Sequence, residues 1–184
     1  MPAFELHPTS KPDGSFAAAW FDDDACLWSD DRLFSAEKLS AKWTPPALRL
    51  NRLGQVATPV LFNPNAVAVS LQLRDQLSEF NELEFLPVSI AGHGEFHILH
   101  VVNGIELPAG SQARIAPAPS GNIVEIHAFP EAFNPPPGFF RVLQPVGSAS
   151  RSAAHRTTKA AYMGPVGSTA VERVASGYLE ARRR

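Results

Sequence analysis

Residues 83–102 read LEFLPVSIAGHGEFHILHVV, and the order of apolar and polar positions in this stretch decides the fold. Leu86, Val88 and Ile90 alternate with Phe85, Pro87 and Ser89; beyond Gly92 and Gly94, Phe96, Ile98, His100 and Val102 alternate with His97, Leu99 and Val101. A period of two broken by a pair of glycines predicts a β-hairpin. Pro87 has no N–H to offer a ladder, so its strand is expected at a sheet edge or a bulge.

Upstream, Ser70 is placed to cap a helix in which Leu73, Leu77 and Phe80 recur at i, i+4 and i+7, making one apolar stripe that runs to about Glu79. Gln72, Arg74, Asp75 and Glu79 lie mostly off that stripe. Downstream, Ile123 to Ala128 predicts a strand, and Phe139 to Leu143 another after the stiff run Pro135, Pro136, Pro137. Short helices are expected after Thr157 or Thr158 and near Thr169 to Val174, where Thr169 and Glu172 have capping-box spacing, with a last strand at Tyr178 to Ala181. Together these elements describe an α+β fold, an antiparallel or mixed β-sheet with a few short helices.

The chain of 184 residues, 45% of them hydrophobic, suits one domain spanning 1–184 with a substantial core. Residues 1–40 show no regular pattern and are expected to form an irregular acidic segment packed on that domain. Trp20, Phe21, Leu27, Trp28, Leu33 and Phe34 supply the mass to dock it. The 17 prolines, well above the usual share of roughly 5%, predict many rigid connections. A single cysteine, Cys26, excludes an intramolecular disulfide and a thiolate zinc cage, and fits a reducing compartment. The N-terminus has no signal-like apolar run and no stretch is long enough to span a membrane, so the expected location is the cytoplasm.

Net charge is −2, but its distribution is uneven. Residues 1–40 carry 8 acidic and 3 basic side chains, whereas residues 141–184 carry 2 acidic and 8 basic, the last three being a basic tail, Arg182, Arg183 and Arg184. Two readings stay open: separate partner surfaces of opposite sign, or ends that pack together and neutralise each other.

Candidate chemistry is sparse. The densest cluster is His93, Glu95, His97 and His100 in HGEFHILH. A metal site needs three or four ligands converging on a point, but on a strand His97 and His100 point to opposite faces and His93 belongs to the turn. Partly exposed strand histidines are the expectation, with no metal and no cofactor. There is no G-x-S-x-G elbow, HExxH pair, Walker loop or GxGxxG turn, and the acidic neighbours of Cys26 would raise its thiol pKa. A nucleic-acid binder would use the basic third, namely Arg141, Arg151, Arg156, Lys159, Arg173 and the terminal arginines, with Tyr162 and Tyr178 to stack. A metal-dependent enzyme would need the fold to gather the histidines. Both remain as alternatives to a protein that acts by binding.

The stretch KWTPPALRLNRLGQVATPVLFNPNAVAVSLQLRDQLSEFNELEFLPVSIAGHGEFHILHVVN, Lys42 to Asn103, has a tryptophan-proline opening, a V-x-V-S lead into a helix, an E-F-L-P-V strand and a second strand ending L-H-V-V-N. With the closing HRTTKAAYMGPVGSTAVERVASGYLEA, it resembles immunity protein family eleven of bacterial polymorphic toxin systems, a myxobacterial-type immunity domain and formerly a domain of unknown function. The first 40 residues and Ile105 to Ser120 lie outside the resemblance. It implies a protein that binds and neutralises a cognate toxin without catalysis, and it carries over no catalytic residues. Since many toxins that attack nucleic acids are basic, Asp22, Asp23, Asp24, Asp30 and Asp31 are the first expected contacts, a solvated acidic loop being the alternative.

Overall fold

The alternation at residues 83–102 becomes a hairpin of two eight-residue strands, Leu83–Ile90 and Gly94–Val101, paired in unbroken register from Leu83 opposite Val101 to Ile90 opposite Gly94. Gly92 and Gly94 take φ of +79° and +82° at the reversal, a conformation that β-carbons disfavour. The computed structural model describes residues 4–8, 19–21, 33, 35–50, 60–63, 66–90, 92, 94–118, 121–143, 162–164 and 179–183.

Among these residues the chain order is β1 (Phe4–Pro8), β2 (Ala19–Phe21), a 3-10 turn (Ser40–Lys42), β3 (Ala47–Leu50), β4 (Val60–Asn63), β5 (Ala66–Ser70), α1 (Leu71–Leu77), β6 (Leu83–Ile90), β7 (Gly94–Val101), β8 (Gly104–Glu106), β9 (Gln112–Ala118), β10 (Gly121–Ala128), β11 (Phe139–Leu143), β12 (Tyr162–Met163) and β13 (Leu179–Arg183). A six-stranded sheet runs β2-β3-β6-β7-β5-β4, a five-stranded sheet β13-β1-β12-β11-β8, and β9 and β10 form a separate antiparallel pair. Pairing is antiparallel except between β3 and β6 and between β8 and β11, so the fold is α+β with mixed sheets.

Pro87 sits in a strand with neighbours on both sides, not at an edge, and the register explains how. Ser89, two residues on and facing the same side, donates its N–H to the Pro46 carbonyl at 3.3 Å, and the Pro87 carbonyl accepts from the Trp43 indole at 2.8 Å. The backbone groups of Pro87 therefore point away from β7. Pairing with β3 begins only at Ser89, so the missing N–H removes no ladder bond.

Helix α1 begins where the sequence places it: the Ser70 hydroxyl accepts from the Leu73 amide at 3.3 Å. It ends at Leu77, two residues early, because the Ser78 hydroxyl and amide both turn back to the Asp75 carbonyl. Phe80, now in the following turn, stays on the core by packing its edge against Phe139 at 5.0 Å. Leu73 and Leu77 join Val69, Leu83, Leu99, Val101 and Phe139 in the main core. The next residue of β11, Phe140, points the other way and with Val142 and Ile126 forms a second core. Strand β11 thus supplies both.

Two strands, β1 and β2, lie within the first 40 residues, where the pattern suggested none. Arg182 and Arg183, expected in a tail, belong to β13, which pairs along β1 from Phe4 opposite Arg183 to Pro8 opposite Leu179. Of the two readings of the charge asymmetry, this pairing of the ends favours the second. The strands at 123–128 and 139–143 are present, the first beginning at Gly121, and the last strand runs to Arg183. The helices expected after Thr157 and at Thr169 to Val174 lie outside the described residues. No helix among the described residues is long and apolar enough to cross a membrane.

Leu77 is fully buried in the main core. Leu77→Ala is expected to cost about 2–5 kcal/mol and Ser70→Ala about 1 kcal/mol in urea unfolding, with no change in the slope of either transition.

Candidate functional site

The two histidines of β7 face opposite sides of the sheet, as a period of two requires, but neither is partly exposed. His97 is 4% and His100 0% exposed. The expectation fails because β7 lies between β6 and β5 and is covered on both faces, so every residue from Phe96 to Val101 is buried whatever its side. A polar side chain on such a strand must find a partner inside the protein.

His100 stands directly across from Glu84 of β6. Its Nε2 lies 2.9 Å from the Glu37 carbonyl, and because a carbonyl only accepts, Nε2 carries the proton. The Glu84 carboxylate accepts from two successive backbone amides, Leu39 at 2.7 Å and Ser40 at 2.8 Å. One acid and one imidazole thus hold residues 37–40 against the hairpin, and Trp43 adds its indole bond to Pro87. Leu39, between them, is buried.

Charge follows this geometry. Burial pushes the Glu84 carboxyl up, but the Leu39 amide, the Ser40 side chain and amide, and His100 outweigh it and leave the group below its ordinary value. His100 is held below the usual histidine range by burial first and the Arg141 guanidinium second, against the backbone of Glu37, the Glu84 carboxylate and the backbone of Leu33. Arg141 is itself only 5% exposed, and burial pulls it down to about 10. Its backbone N–H donates to the Asn103 carbonyl at 2.8 Å, tying β11 to the end of β7.

On the opposite face His97 meets the helix. Arg74 Nη1 lies 3.3 Å and Glu95 Oε1 3.2 Å from the same ring atom, Nε2. An arginine donates only and a carboxylate accepts only, so Nε2 satisfies one of them at a time according to whether it carries a proton. Burial and then Arg74 hold His97 below the usual range, against Glu95 and Asp75, which favours the neutral ring. Arg74 also donates twice to Asp75 Oδ1, at 3.0 and 2.7 Å. Around this point the surface carries exposed Asp75 and Glu95, and Leu71, 48% exposed, one residue past the Ser70 that pairs with Phe96.

Asp22, Asp23, Asp24, Asp30 and Asp31 lie outside the described residues, as do His93, Cys26 and most of the basic third. Arg141, counted with the solvent-facing cations, is buried next to His100 and is withdrawn from any nucleic-acid face. Among the described residues no three His, Cys, Asp or Glu side chains come together to hold a metal ion. Pattern reading missed Glu84, although it left a mark: a carboxylate on the apolar face of Leu86 and Val88, at the position that pairs with His100.

Glu84→Ala would leave two backbone amides without their acceptor, and the expected loss of stability is about 1–3 kcal/mol by chemical unfolding at pH 7. No protein-family model matches the chain, and no curated protein matches it.

Proposed function

We propose that the protein is an immunity protein that binds a cognate bacterial toxin in the cytoplasm of the producing cell and neutralises it by occlusion, without catalysis. The resemblance of Lys42 to Asn103 carries this reading. Its landmarks fall on consecutive folded elements: the V-x-V-S lead is the end of β5 and the cap of α1, E-F-L-P-V lies in β6, and L-H-V-V-N closes β7. A second observation supports it. Half-buried Glu84 and fully buried His100 are engaged in holding backbone, which is an architectural task.

Steering by exposed acids suits such a task, because complementary charge speeds encounter with a basic toxin. The first candidates, on their sequence alone, are Asp22, Asp23, Asp24, Asp30 and Asp31, which lie outside the described residues. The second candidate is the solvent side of α1, where Gln72, Asp75 and Glu79 are exposed beside Leu71.

Co-expression with the product of the adjacent gene should restore growth of cells that the product otherwise kills, and the purified pair should bury more than about 1,000 Å². Reversing Asp22, Asp23 and Asp24 to lysine should slow association and flatten its salt dependence, with less effect on dissociation. An adjacent product that neither kills nor binds would overturn the proposal. Tight binding indifferent to those aspartates but sensitive to Asp75→Lys and Glu79→Lys would move the interface to α1.

A further inference from the structure

Residues 35–43 contain one 3-10 turn and no strand, yet they are fixed to the hairpin at three points. These are the Glu37 carbonyl on His100, the Leu39 and Ser40 amides on Glu84, and the Trp43 indole on Pro87. We propose that this segment is an acid-releasable strap, clamped by the facing pair Glu84 and His100, and that protonation of the pair frees it while Trp43 keeps its far end attached.

The chemistry differs at each point. Glu84 uses one oxygen for each amide, at 2.7 and 2.8 Å, so a proton on either oxygen sets an O–H donor against an N–H donor. The bond from His100 to the Glu37 carbonyl survives protonation, since Nε2 already carries its hydrogen. The second proton must go to Nδ1, which is buried beside the Leu33 backbone without a well-formed hydrogen bond, and it places a positive charge beside buried Arg141. Among the described residues, the charged groups facing the imidazole are Glu84 from β6 and Arg141 from β11. Glu37, Lys38 and Lys42, the strap's own charged side chains, are exposed. The Trp43 contact involves no titrating group, which is why release proceeds from the other end.

The sign is the same at both groups. Burial, the first cause that holds His100 low, is what release relieves, and it outweighs the Glu37 backbone bond that release gives up, while Arg141 stays on β11; the clamp is therefore complete above the ordinary histidine value of about 6.5 and weakens as pH falls below it. Glu84, also held low, adds a second loss as pH falls below the ordinary carboxyl value of about 4.3. Release uncovers Leu39, buried while the strap is down, and the hairpin face that carries Glu84 and His100.

Hydrogen exchange on the full chain, corrected for intrinsic rates, tests this at pH 7.5 and 5.0. Amides of residues 37–43 should lose protection on the order of tenfold, while those of α1 and of β7 change little. His100→Gln, which keeps a donor and cannot titrate, should abolish that loss. Glu84→Gln, which sets an amide N–H₂ in place of one accepting oxygen, should open the strap at pH 7.5. Should His100→Gln fail to fold, as its circular dichroism would show, Glu84→Gln decides alone. Unchanged protection of 37–43 at pH 5.0, a loss shared equally by α1 and β7, or a strap still closed at pH 7.5 in Glu84→Gln would overturn the proposal.

Discussion

Strand β7 is buried on both faces, and much of the structure answers to that. Its six residues from Phe96 to Val101 include two histidines, and a buried imidazole left without partners costs more than most single contacts return. The fold meets the constraint locally. On one side α1 brings Arg74 to His97, and on the other the segment after Leu33 brings the Glu37 carbonyl to His100.

Strand β11 is the second organising element. Consecutive phenylalanines, Phe139 and Phe140, are fully buried in two different cores, so one short strand joins the helix-covered face of the six-stranded sheet to the packing under β10. Arg141 follows them inward, where its charge adds to burial in holding His100 below the usual histidine range. Gly104, opposite Arg141 on parallel β8, has no room for a side chain, since a β-carbon there would lie 2.8 Å from Leu143 and 2.9 Å from Ala36. Strap, β8 and β11 are thus in close contact.

The pairing of β1 with β13 changes the meaning of the charge distribution. Phe4–Pro8 and Leu179–Arg183 lie side by side as antiparallel neighbours, with Glu5 opposite Arg182. Charge segregation in a sequence is therefore ambiguous between partner surfaces and internal pairing until topology is known. The acids that remain exposed on α1 and at Glu95 belong to neither end.

The hairpin at 83–102, the Ser70 cap and the Leu73 and Leu77 stripe were legible in the sequence, because each rests on contacts between near neighbours with a fixed period of two or 3.6; the strand at 139–143, whose partners are β8 and β12, was marked instead by its apolar residues after the proline run. The strands at Phe4–Pro8 and Ala19–Phe21 were not legible, since each is stabilised by partners more than 25 residues away. The candidate site divides the same way. That His97 and His100 face opposite sides follows from strand geometry alone; that both are buried depends on which elements cover a strand, and that is a long-range property. Glu84 and His100 were each visible as polar residues in apolar stripes, but only the register of β6 on β7 set them across from one another, and only the return of residues 37–40, some 45 positions upstream, gave them a backbone to hold.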